Sequence, residues 1–105
     1  MRTLKFIVEG LSIKKDPDCD FSGIVPGTKG YIQAEFDFDH DWSGCGKMVV
    51  FTKQGSQEQV PVRLTNNVCM IPDEVLARRK FKLKVIGIKT GLRLVTNNLE
   101  VNQNG

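Results

Sequence analysis

Apolar and polar residues trade places with a period of two along most of this chain, the pattern of half-buried β-strands. Leu4, Phe6 and Val8 alternate with Thr3, Lys5, Ile7 and Glu9 in a first strand that ends at Gly10, and Leu11 to Lys14 forms its short partner. The clearest strand is Gly30 to Phe38. Ile32, Ala34, Phe36 and Phe38 point one way, and Tyr31, Gln33, Glu35 and Asp37 the other. Lys47 to Lys53 carries Met48 and Val50 on one face and Val49 and Phe51 on the other, so a central place in a sheet is expected. Glu58 to Leu64 alternates through Val60, Val62 and Leu64, and Pro61 within it predicts an edge strand or a bulge. Val68 to Ile71 is a short apolar run, and Lys80 to Ile88, Leu92 to Thr96 and Leu99 to Asn102 close the series.

Turn residues separate these segments. Asp16 to Lys29 is a loop rich in Asp-Pro, Ser-Gly and Pro-Gly pairs with no apolar period. Asp39 to Gly44 reads as a turn that carries Trp42 back over the core. Asn66-Asn67 makes a turn, and Lys89-Thr90-Gly91 is a hairpin loop. Pro72 to Leu76 is the one credible helical segment, with proline at its start, acids in its first turn and arginines after it. About eight short strands and one helical turn predict an all-β sandwich or small barrel rather than an α/β fold.

A length of 105 residues suits one domain, expected over 1–105, which can bury about two-thirds of its unfolded surface. No apolar run reaches the roughly 20 residues of a membrane helix, so no membrane partner is expected. Met1 to Lys5 leads directly into the first strand, so no cleavable signal peptide is expected and synthesis in the cytoplasm follows. Three cysteines, Cys19, Cys45 and Cys69, without CxxC spacing read as free thiols rather than a disulfide framework.

The net charge of +3 is unevenly spread. Residues 1–41 hold eight acidic and five basic groups, whereas 42–105 hold four acidic and ten basic. That asymmetry suits an acidic partner surface or the opposite end of a sister subunit.

Reactive chemistry finds little support in the residues. Asp16-Pro17-Asp18-Cys19-Asp20 resembles the start of a calcium loop, but Phe21 and Gly27 stand where that loop needs its glycine and its bidentate glutamate. Asp37, Asp39, His40 and Asp41 are a denser acidic group, and the simpler reading is a solvated stretch following buried Phe36 and Phe38. His40 is the single histidine, which excludes a multi-histidine metal site within one chain. No nucleophile elbow, P-loop or dinucleotide motif occurs. The expectation is a non-enzyme without cofactor, metal or catalytic residues.

The basic stretch from Arg78 to Arg93 is the strongest candidate for binding. Phe81, Leu83 and Val85 face inward, leaving Lys80, Lys82 and Lys84 as an outward ladder. A nucleic-acid site would interleave exposed aromatics with such a ladder, and here they alternate onto the core face. A solvated sheet face is the better reading. Ile86 and Ile88 share the lysine side, so either Gly87 marks a bulge that turns them inward or they belong to a contact patch. The candidate protein contacts are Tyr31, Ile86, Ile88, Lys80, Lys82 and Lys84.

Taken in order, several segments resemble the immunoglobulin-like module of tailed-bacteriophage structural proteins, as found at the N-terminus of baseplate and tail-fibre components. They are Phe6 to Gly10, Gly30 to Phe38 with Asp41-Trp42-Ser43-Gly44, Val50-Phe51, Cys69 to Leu76, Phe81 to Gly87, and Val95 to Asn98. The resemblance implies an immunoglobulin-like sandwich that serves attachment within a virion, without catalysis. The module usually heads a longer protein, whereas this chain ends at Gly105. A free-standing copy implies an auxiliary capsid decoration protein, with a tail or baseplate subunit as the alternative. The partners implied are a major capsid protein or tail and baseplate subunits, or further copies of the chain. A carbohydrate- or cell-surface-binding module is a further alternative, with Trp42 and Tyr31 as its aromatic platforms. Nucleic acid ranks below these.

Overall fold

The computed structural model describes residues 1–103, so positions 104–105 of the expected domain lie outside the described residues. The first strand, β1 (Arg2–Glu9), turns at Gly10 and Leu11 into β2 (Ser12–Lys15), with which it pairs antiparallel. Gly10 takes a φ of 56° at the first central position of this two-residue turn, a conformation that favours glycine. The long loop that follows returns the chain to β3 (Ile32–Phe38), which lies parallel to β1 with Leu4 beside Ala34 and Phe6 beside Phe36.

That loop is tied down at both ends. Arg2 donates from its guanidinium to the carbonyls of Asp20 and Ser22, and the amide of Gly30 donates to the Asp73 carboxylate. Ile24, inside the loop, is fully buried and serves as its anchor in the core.

After β3 a single 3-10 turn, His40–Trp42, swings the chain across to the second sheet. There β4 (Gly46–Lys53) pairs with β5 (Gln59–Arg63), and Asn66 and Asn67, both at positive φ, fold the chain back into β6 (Val68–Met70) beside β3. A four-residue helix, α1 (Asp73–Leu76), seals one end with Val75 and Leu76. The chain then forms β7 (Lys80–Lys89), β8 (Leu92–Val95) and β9 (Leu99–Asn102).

The result is two packed sheets, ordered β2-β1-β3-β6 and β5-β4-β7-β8, with β9 lying end to end with β8 along β7. The expected all-β sandwich is present, with nine strands among the described residues against an expectation of about eight. Central β4 and the edge position of Pro61-bearing β5 both follow the sequence reading. One continuous cluster of buried side chains runs between the sheets, from Leu4, Phe6 and Val8 to Phe51, Leu83 and Val101.

Two devices join the sheets at their margins. Trp42 is fully buried, and its indole N–H donates to the Gly10 carbonyl at 2.8 Å, while Asp39 accepts from the Gly10 amide at 2.7 Å. The hairpin turn of the first sheet is thus held through both the N–H and the carbonyl of Gly10. On the other side the same ring lies against Gly87, where an added Cβ would come within 2.6 Å of the indole. Farther along the same hairpin edge, Asn97, between β8 and β9, accepts from the Ile13 N–H through its amide oxygen at 2.9 Å, and its NH2 faces the Ile13 carbonyl at 3.5 Å. Asn97 stands in for a neighbouring strand along edge strand β2. Thr96 fills the gap between β8 and β9 by accepting the Val85 N–H through its hydroxyl.

Candidate functional site

The two outer faces of the sandwich differ in kind. On the four-stranded sheet, the outward positions of β1 and β3 are Thr3, Lys5, Ile7, Glu9, Gln33, Glu35 and Asp37. Lys5 pairs with Glu35 at 3.9 Å and Lys14 with Glu9 at 3.4 Å. Such exposed pairs add little stability. They do leave most of the charge on that face locally balanced.

The outer face of the five-stranded sheet is built otherwise. Register places Met48 on β4 beside Ile86 on β7, and Ile86 beside Val95 on β8, an apolar row across three strands. One step along, Val50 lies between Lys84 and Pro61. In the other direction Ile88 faces Gly46 and Arg93. Directly opposed side chains on one sheet face sit about 5 Å apart and act as a unit, so these residues form one aliphatic patch. Met48 is 37%, Val95 37% and Ile88 55% exposed, while Val50 is buried in the middle. Arg63, Lys82, Lys84 and Arg93 surround the patch, and among the described residues none of the four forms an ion pair. Lys80 differs, since it reaches Glu100 on β9 at 3.8 Å.

Five of the six residues singled out from the sequence therefore share this face: Lys80, Lys82, Lys84, Ile86 and Ile88. Tyr31 does not join them. It immediately precedes β3 in the other sheet, half exposed, with its carbonyl accepting from the Arg2 amide. The bulge alternative at Gly87 is excluded, because pairing runs unbroken from Gly46 with Ile88 to Lys53 with Phe81. Alternation continues through the glycine, so Ile86 and Ile88 stay on the lysine side. Met48, Val50 and Val95 complete the patch although the sequence reading did not place them there. The signal was present in β4, whose apolar residues on both faces mark a central strand and equally mark an apolar outer surface.

The acidic segments have structural work. Asp39 caps the 3-10 turn by accepting from the Asp41 amide, besides holding Gly10. Asp20 accepts from the hydroxyl and amide of Ser22, and these hydrogen bonds hold its carboxyl below the ordinary value of 3.8. His40 projects into solvent beside Asp41 at 3.6 Å. Trp42, offered as a sugar platform, is corrected to a core residue, because its whole ring is enclosed between the sheets. The three cysteines are free thiols, and burial pushes that of Cys69 up to about 12.

The chain matches no protein-family model and no curated protein.

Proposed function

We propose that this chain is a non-enzymatic attachment protein of a bacteriophage particle, seated through the outer face of its five-stranded sheet. The capsid surface is the first place to look for it, as a decoration protein, and a tail or baseplate position is the alternative. One observation carries the reading: one face balances most of its charge internally, while the other presents an aliphatic centre inside a cationic rim without ion pairs among the described residues. A solvated face has no use for a row such as Met48, Ile86 and Val95, whereas an interface with a dry centre and polar margin needs one. The ordered resemblance to phage structural modules supplies the virion setting. The glycan alternative is weakened, since it retains Tyr31 and loses Trp42 to the core.

Mass spectrometry of purified particles tests the proposal. A fixed stoichiometry relative to the major capsid protein is expected, and cryo-imaging of those particles separates capsid from tail. Absence of the chain from gradient-purified virions overturns the reading.

A further inference from the structure

We infer that the occupant of this face is a carboxylate-rich protein surface with an aliphatic centre, and not a second copy of the chain; the inference rests on the attachment reading and names its partner's chemistry. Charge complementarity makes the case. Arg63, Lys84 and Arg93 border the Met48–Ile86–Val95 row, and no carboxylate of the described chain pairs with them. Desolvating cations beside a buried apolar centre is costly unless the partner supplies anions.

A second copy supplies them poorly in either arrangement. Face to face, a two-fold dimer brings the cationic rims together, and like charges in contact disfavour that pairing. Head to tail, the same rim would meet the four-stranded sheet, where Glu9 and Glu35 are already engaged by Lys14 and Lys5, leaving Asp37 as the one unpaired carboxylate among the described outward positions of β1 and β3 to answer three cations. Nucleic acid offers anions but no match for the middle of the face. The outward positions there are aliphatic, and among the described residues no aromatic side chain stands beside them to stack on bases.

The test is carbodiimide coupling in purified particles. The reagent activates a carboxylate, a lysine amine displaces it to form an amide, and the carbodiimide leaves as its urea, so only amines touching carboxylates are joined. Lys82 and Lys84 should couple to Asp or Glu of a different particle protein. Coupling to Glu9, Glu35 or Asp37 of a second copy overturns the inference, as does coupling confined to lysines of the other face. In a second arm, Ile86→Ser with Val95→Ser, and separately Lys84→Gln with Arg93→Gln, should each lower particle occupancy at least about tenfold. Lys5→Gln with Lys14→Gln should leave it unchanged. Thermal melts by circular dichroism identify any variant that loses occupancy by unfolding, and the glutamine pair, outside the buried core on the outer face, keeps the comparison decisive. Undiminished occupancy in both face variants overturns the inference while leaving attachment intact; absence of the chain from particles overturns attachment itself. Retention of the purified chain by a 30-nucleotide DNA, or its flotation with phosphatidylglycerol vesicles, at physiological salt and lost in the Lys84 and Arg93 variant, would reassign the face to nucleic acid or lipid.

Discussion

Trp42 shows how much one side chain can organise in a small sandwich. Its ring fills the space between the sheets, its N–H satisfies the Gly10 carbonyl, and its face requires a residue without a side chain at position 87. Gly87→Ala should therefore destabilise by about 1–3 kcal/mol, the usual cost of forcing atoms into a packed core, measured by urea unfolding. Gly46→Ala is the matched control, because its added Cβ would meet nothing closer than the Ile88 carbonyl at 3.8 Å. Trp42→Phe loses volume and leaves the half-buried Gly10 carbonyl without its donor, and a loss of about 3 kcal/mol is expected in the same assay. Cys69 gives a pH signature. Burial raises its thiol from 9.0 to about 12, so the folded state favours the protonated form. That contribution is complete below about pH 9 and is lost as pH climbs through 12, because the unfolded chain releases the proton first. Unfolding titrations between pH 8 and 11 should show an alkaline fall that is shallower in Cys69→Ala.

Strands were legible from alternation because each has one face in the core, and a period of two is what that burial writes into the chain. β9 runs from Leu99 to Asn102 as expected, and most other ends move by one or two residues, where hydrogen bonding rather than side-chain burial decides the boundary. Pro61 foretold an edge because a strand that lacks an N–H can lie only where no ladder needs it. The turn at Asp39 to Gly44 showed Trp42 returning over the core, but the link made by Asn97 was not legible. Asn97 reads as a turn residue in the sequence, yet its amide serves as a strand for Ile13, 84 positions away. Spacing carries no trace of a partner so remote. Asn97→Ala should cost about 1–2 kcal/mol through the exposed or orphaned groups of Ile13. Hydrogen exchange at the Ile13 amide should accelerate more than at Phe81 in β7, whose protection comes from the sheet interior.

For the molecule as a whole, the division of labour between two faces matters more than its net charge of +3. The lysine ladder and the two isoleucines were visible as a set, but a spacing of two could not say whether Gly87 would rotate them. Nor could it bring Met48 and Val95 alongside, since those neighbours depend on register between distant strands. The rim also predicts solution behaviour. At about 0.1 M salt, repulsion among Arg63, Lys84 and Arg93 of approaching copies should keep the purified chain monomeric. At about 1 M, where the screening length falls to roughly 3 Å, the aliphatic patch should drive reversible self-association. Sedimentation equilibrium at both salts checks this, and Ile86→Ser with Val95→Ser should abolish the high-salt species.

Because the chain has a single tryptophan, pressed against the inner surface of β7 at Gly87, one backbone layer separates that fluorophore from Ile86 and Ile88 outside. Native emission should lie in the blue and move to the red on unfolding. A ligand pressing on the aliphatic patch would instead perturb intensity without that shift, so the molecule carries its own optical gauge on the reverse of its working surface.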